Sequence, residues 1–153
     1  MKKLLIVYHS QGGKNLEMAN AVFAGASHDD LKGVEVRFLR AFDATDQDLL
    51  WADGIIFGTP ENFGYMSGAM KDFLDRTFYA VEGAVDAKPY CIFIGAGNDG
   101  QGALSSLTRI LKGYKFKEIH EPLIVVGELT EEAKVSCEAL GTGMAAGLEA
   151  GIY

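Results

Sequence analysis

The sequence predicts a doubly wound α/β domain, a parallel sheet covered by helices on both faces, and three observations carry that prediction. Four continuous apolar runs, LLIVY (4–8), GIIFG (54–58), YCIFIG (90–95) and PLIVVG (122–127), have the make-up of strands buried on both sides. Helical patterns separate them, giving the order β-α-β-α-β-α-β-α-β-α. Glycine is in excess, 19 of 153 residues or about 12% against a usual ~7%. It gathers at 12–13, 58–68 and 95–102, directly after three of the strands. A chain of 153 residues is one domain, 1–153, large enough to bury a core without disulfides or metals.

Each element has its own warrant. The first strand, 4–8, runs into HSQGGKN and then a helix with Leu16, Ala19, Phe23 and Ala26 on one face. The second strand, VEVRFL (34–39), alternates Val34, Val36 and Phe38 with Glu35 and Arg37, which places it at a sheet edge with one wetter face. A short helix starts at Thr45, with Asp48 three residues on as in a capping box. Trp51 follows as a core residue. The third strand, 54–58, leads through GTPENFGYMSG into a helix carrying Met66, Met70, Phe73, Leu74 and Phe78 on one face. Asp72, Asp75 and Arg76 make a solvated helix face with a local ion pair. The fourth strand, 90–95, passes through GAGNDGQG to a helix with Leu104, Leu107, Ile110 and Leu111 inward. The fifth strand, 122–127, precedes a helix with Ala133, Cys137, Leu140, Met144 and Leu148 inward. Thr130 is its N-cap, and Glu131 and Glu132 suit its first turn. His28 and His120 read as surface residues, and Cys91 as an inert core thiol.

Composition excludes several classes. A formal net charge of −7 argues against a nucleic-acid partner, which needs a basic face. No apolar stretch approaches a membrane span, so no membrane partner is expected. The short apolar start has no small-residue cleavage site and is a poor signal peptide. Two separated cysteines make no metal motif and fit a reduced, cytoplasmic protein.

In such sheets ligands bind beyond the carboxyl ends of the strands, where strand order reverses. Three loops there have unusual composition, after the first, third and fourth strands. The loops after the second and fifth, RAFDATD and ELTEE, look ordinary. In the first loop Ser10 offers a hydroxyl, and Gly12 and Gly13 let backbone N–H groups curl around an anion at a helix start. Phosphate cradle and plain turn both remain open on residue types alone. It is not a Walker loop, because Lys14 is followed by Asn15. In the middle loop Phe63 and Tyr65 cover a flat ring or pack the loop against the body, and Thr59 and Asn62 offer polar atoms. The third loop has a literal G-x-G-x-x-G at Gly95, Gly97 and Gly100. A dinucleotide fingerprint belongs after the first strand of its half-fold, and this one follows the fourth. His9 adjoins the first loop, with packing and catalysis both open.

Taken together, the three loops resemble those of the flavodoxin-like flavoproteins, nearest the tryptophan-repressor-binding-protein type of quinone reductase and the NAD(P)H-dependent FMN reductases. The most specific segment is FGTPENFGYMSGAMKDFLDR (57–76), similar to that branch's G-T-P-x-x-F-G-x-M-S-G-x-x-K-x-F-x-D. The resemblance implies a five-stranded sheet of order 2-1-3-4-5. It implies FMN as cofactor and NADH or NADPH as electron donor. Ser10, Gly12, Gly13, Lys14, Asn15 and Leu16 would surround the FMN phosphate. Thr59, Pro60, Glu61, Asn62, Phe63 and Gly64 would line the ring and its edge. Gly95, Ala96, Gly97, Asn98, Asp99 and Gly102 would cover the pyrimidine end and ribityl side. The usual phosphate loop is closer to S-x-T-G-N-T, and here Gly12 and Asn15 replace its threonines, with Lys14 placed to offer a charge-assisted contact.

The implied function is an oxidoreductase that passes electrons from NAD(P)H to a quinone or similar small acceptor. Two alternatives stand beside it. One is a flavodoxin-type carrier with a transient redox protein partner, favoured by small size and acidic balance. The other is a weakened-site member with a non-catalytic role, motivated by the missing threonines. A homo-oligomer, dimer or tetramer, is a further expectation of the resemblance, in which Tyr79 would reach a neighbouring site.

Overall fold

The apolar runs alternate faces as strand geometry requires. Leu5, Val7, Ile55, Phe57, Ile92 and Ile94 feed one buried cluster, and Leu4, Ile6, Tyr8, Ile56, Cys91 and Phe93 the other. A computed structural model describes residues 1–153. In chain order the elements are β1 (Lys2–Tyr8), α1 (Lys14–Ala26), β2 (Val34–Arg40), α2 (Asp46–Trp51), β3 (Gly54–Asn62), β4 (Tyr65–Met66), α3 (Gly68–Val81), β5 (Pro89–Ala96), α4 (Gln101–Gly113), β6 (Lys117–Glu118), β7 (Leu123–Val126) and α5 (Glu131–Glu149). Helices α2, α3 and α4 cover the first face, and α1 and α5 the second. No helix is long and apolar enough to cross a membrane.

The sheet runs β2-β1-β3-β5, with β6 and β7 both on the outer side of β5. Every pairing is parallel except the β3–β4 hairpin. This is the order 2-1-3-4-5, with β2 at the edge as its alternation indicated. The strand count differs: seven form, not five. The outermost strand is divided, because Lys117–Glu118 pair with Pro89–Tyr90 and Leu123–Val126 with Phe93–Ala96. Residues 119–122 form no strand between them, although the Ile119 N–H still donates to the Tyr90 carbonyl at 3.1 Å, and Pro122 has no N–H to donate. The seventh strand, β4, comes from the middle loop turning back on β3.

The buried face of α1 is rotated from the one its apolar pattern suggests. Met18, Ala19, Val22, Gly25 and Ala26 point inward, while Leu16 is 40% exposed. The cause is a close crossing of α1 and α5. A Cβ on Gly25 would overlap the Glu138 carbonyl, and one on Gly141 would overlap that of Val22. The two backbones therefore touch, and Thr142 Oγ1 donates to the Gly25 carbonyl at 3.0 Å. The shift frees Leu16 to stand beside the first loop.

Caps hold as expected: Asp48 accepts from the Thr45 N–H at 2.8 Å, and Thr130 from the Ala133 N–H at 3.1 Å. Trp51 packs against the first core cluster, with the Arg37 guanidinium 4.0 Å above its ring. Two surface readings need correction. Arg76 pairs with Asp72 at 2.9 Å but also donates to the carbonyls of Ala41 and Ala44 at 2.6 and 2.7 Å, pinning the loop after β2. His120 is half-buried and shares a 3.0 Å hydrogen bond with the Tyr153 hydroxyl, while His28 is exposed. Cys91 is fully buried, and burial pushes its thiol far up, which leaves it inert.

Candidate functional site

Chain order sends β1 to β2 on one side, while β3 pairs on the other. The carboxyl ends of β1 and β3 therefore flank the switch point, and β5 lies next to β3. The first loop (9–13) leaves β1, the middle loop (63–67) leaves β3, and the third (97–100) leaves β5. Each feeds a helix, α1, α3 or α4.

In the first loop Gly13 has φ +97°, in the left-handed region that favours glycine. Ser10 Oγ accepts from its N–H at 3.2 Å and holds the curl. The N–H groups of Gly12, Lys14, Asn15 and Leu16 have no acceptor in the chain. Four free donors at the positive end of a 13-residue helix form an anion cradle, and a phosphate monoester such as that of FMN fits this donor set. The side chains turn elsewhere. Asn15 is buried, and its Oδ1 accepts from the Gly95 N–H at 3.1 Å. Lys14 Nζ donates to the carbonyls of Val125 at 2.8 Å and Ala96 at 3.2 Å, and burial lowers its pKa. Two carbonyls thus hold the ammonium, away from the free N–H groups of the loop.

The middle loop is a tight hairpin. Asn62 pairs with Tyr65 across Phe63 and Gly64, whose φ values are +52° and +67°, the signature of a type I′ turn. Left-handed backbone is costly for a bulky residue. Phe63 bears that strain with its ring wholly in solvent. The packing alternative for Phe63 is thereby removed. Thr59 is fully buried; its hydroxyl accepts from the Ser67 N–H at 3.0 Å and donates to the Pro60 carbonyl at 2.9 Å. It locks the hairpin to the start of α3. Pro60 is buried beside it. The Glu61 side chain is engaged within the chain as well. Its carboxylate accepts from the N–H groups of Gly102 at 2.9 Å, Gly100 at 3.2 Å and Ala103 at 3.3 Å. It caps α4, where a negative charge is favoured. Asn62 Nδ2 donates to Gln11 Oε1 at 3.2 Å and joins the first two loops.

The third loop is braced at both ends. Gly95 and Ala96 are buried under Asn15 and Lys14, and Gly102 touches Gly64 so closely that a Cβ would overlap its carbonyl. Between the braces Gly97, Asn98 and Asp99 are exposed, and their N–H groups have no acceptor. The three loops thus converge. They present free backbone donors at 12, 14–16 and 97–99 with an exposed aromatic ring at 63.

A cleft of about 450 Å³ opens beside the first loop, bounded by Ser10, Gly13 and Leu16 but also by Tyr8, His9, Arg40 and Phe42. The last two come from the end of β2, where the sequence looked ordinary. The available signal was an arginine and a phenylalanine leaving the strand next to β1. His9 meets Phe42 edge-on with ring centroids 5.6 Å apart. Burial, and then the nearby Arg40 charge, lower its pKa. A larger groove of about 800 Å³ runs between α3 and α4 and reaches the loops at Gly64, Tyr65 and Gly102. It lies away from the free donors.

Comparison with known proteins agrees with this geometry. The sequence pattern of the NADPH-dependent FMN reductases matches residues 32–131. The chain is 35% identical over 162 residues to a flavodoxin of Aquifex aeolicus (strain VF5), covering 95% of this chain and 86% of that protein. It is 32% identical over 148 residues to an NAD(P)H dehydrogenase (quinone) of Acidithiobacillus ferrooxidans (strain ATCC 53993 / BNL-5-31), covering 83% and 71%. Among solved structures, a flavodoxin from the domain Archaea superposes with a TM-score of 0.83 at 23% identity, over 96% of this chain and 99% of that one. A flavodoxin, WrbA-like protein from Agrobacterium tumefaciens superposes with a TM-score of 0.75 at 21% identity, over 95% and 96%.

Proposed function

The chain belongs to the flavodoxin-like NADPH-dependent FMN reductase family, and on that premise we propose an FMN oxidoreductase that draws electrons from NADH or NADPH and passes them to a quinone or similar small acceptor. The observation that carries this reading is the pair of free-donor clusters, 12 with 14–16 and 97–99, on loops that converge at the switch point. The first cluster holds the phosphate through backbone N–H groups. The second meets the polar edge of the ring and steadies negative charge there. Phe63 covers the ring and excludes water. FMN, when bound, supplies the hydride and electron chemistry; the protein supplies position and electrostatics. The test is nicotinamide oxidation by purified, FMN-loaded protein, followed at 340 nm with a panel of quinones. Oxidation of either nicotinamide supports the reading, and oxidation of neither with any quinone overturns it.

A flavodoxin-type carrier is the second reading. The 35% identity to a flavodoxin over nearly the whole chain and the charge of −7 favour it. A carrier accepts electrons readily from a chemical or protein reductant and is inert to NAD(P)H, so the same experiment separates the two. Equilibrium dialysis that finds no micromolar FMN binding would point instead to a non-catalytic member.

A further inference from the structure

We infer that the Lys14 side chain positions the flavin ring, as a strut that fixes the third loop against the first helix, and is not a ligand of the phosphate. This deepens the proposed function and rests on it. Lys14 heads α1, so its own backbone N–H is one of the free donors of the cradle. Its side chain leaves in another direction. The ammonium bridges the carbonyl ends of β5 and β7, at Ala96 and Val125, which are 82 and 111 residues away in sequence. Parallel strands end in a row of carbonyl oxygens, and a cation placed there satisfies two of them at once. Lys14 is absent from the lining of the cleft that Ser10, Gly13 and Leu16 bound. Asn15, the next residue, makes a second tie to the same loop through the Gly95 N–H.

The two ties meet the third loop immediately before Gly97, where its free donors begin. Residues at the phosphate end therefore set the position of the donors at the ring end. The missing threonines acquire a reading of their own. At position 15 a threonine is too short to span to Gly95, so the asparagine there exchanges a phosphate contact for a loop tie.

Riboflavin, which lacks the phosphate, separates the two roles. Dissociation constants for FMN and riboflavin are measured by flavin fluorescence on the wild-type chain and on Lys14→Met. A ring-positioning strut predicts that both ligands weaken by a similar factor, about ten-fold for loss of a charged donor's bonds. It also predicts a changed visible circular dichroism of the flavin at saturation, which a mere loss of global stability would leave unaltered. Competition by inorganic phosphate stays as in the wild type. If FMN weakens and riboflavin does not, Lys14 is a phosphate ligand and the inference is overturned. Unchanged affinities for both ligands overturn it too. Should Lys14→Met fail to fold, Lys14→Gln, which keeps an amide NH2 donor group and no charge, is read in the same way. A wild-type chain that binds neither flavin would instead defeat the FMN reading itself.

Discussion

Single residues at the loops divide into those that present donors and those that brace them. Gly13 curls the loop so that its neighbours present theirs: at φ +97°, a branched residue there strains the backbone by roughly 1–3 kcal/mol. A Cβ there has open space around it, so nothing else in the fold objects. Gly13→Val is therefore expected to keep the far-ultraviolet circular dichroism and abolish FMN binding; unaltered affinity in that variant would refute the cradle. Glu61 braces. Glu61→Ala strips the acceptor from three N–H groups and should lower stability by about 1–3 kcal/mol in urea unfolding. Phe63 is strained and exposed at once, which suits a residue kept for function. Phe63→Asn, a better left-handed residue, should raise the melting temperature while weakening FMN binding; a loss of stability would count against the strain. Residue types announced the glycines and the exposed aromatic. They did not announce where Thr59, Glu61, Lys14 and Asn15 point. Of the four, Thr59 bonds to a residue 8 positions away, and the other three to partners 39 to 111 residues away. Such directions are tertiary facts.

The same division holds for elements. Strands β1, β3 and β5 were legible because a strand buried on both faces must be apolar throughout, and few other structures need that. The hairpin β4 was not legible, since Asn62 and Tyr65 carry no pattern and the turn lacks the usual Asn-Gly pair. Helix α1 was legible in extent but not in phase. Its inward face is decided by a neighbour, α5, through Gly25 and Gly141. Side-chain hydrophobicity gives glycine no vote in such a pattern. Gly141→Ala drives a methyl group into the Val22 carbonyl and should cost at least about 1–3 kcal/mol by urea denaturation, as overpacking does. The equivalent change at the exposed Gly12, where a Cβ meets nothing, should cost far less. Equal costs at the two sites would mean that α1 and α5 do not cross as closely as described.

At the scale of the whole molecule, a charge of −7 acts on every encounter. Reoxidation of the reduced flavoprotein by a small anionic acceptor should speed up as salt rises from low ionic strength to ~0.15 M, where the Debye length falls to about 8 Å. The same series with a cationic acceptor should slow down, and a salt-independent rate for both would show that the approach to the flavin is not governed by the global charge. Fold class was readable from the pattern of the chain, and the sheet's central order from the family its loops resemble. The seven-strand count was not, because the break at 119–122 reflects how a short edge is finished, and pattern is weakest where burial is partial. That break has a bearing on life at high concentration. An open sheet offers two rims of unspent hydrogen bonds, and each can recruit another molecule into a growing ribbon. Here one rim, β2, carries Glu35, Arg37 and Arg40, and the other is cut into pieces of two and four residues. Neither rim gives an incoming strand a long, flat, uncharged template, so the fold is protected against edge-to-edge polymerisation by the very irregularity that hid from its sequence pattern.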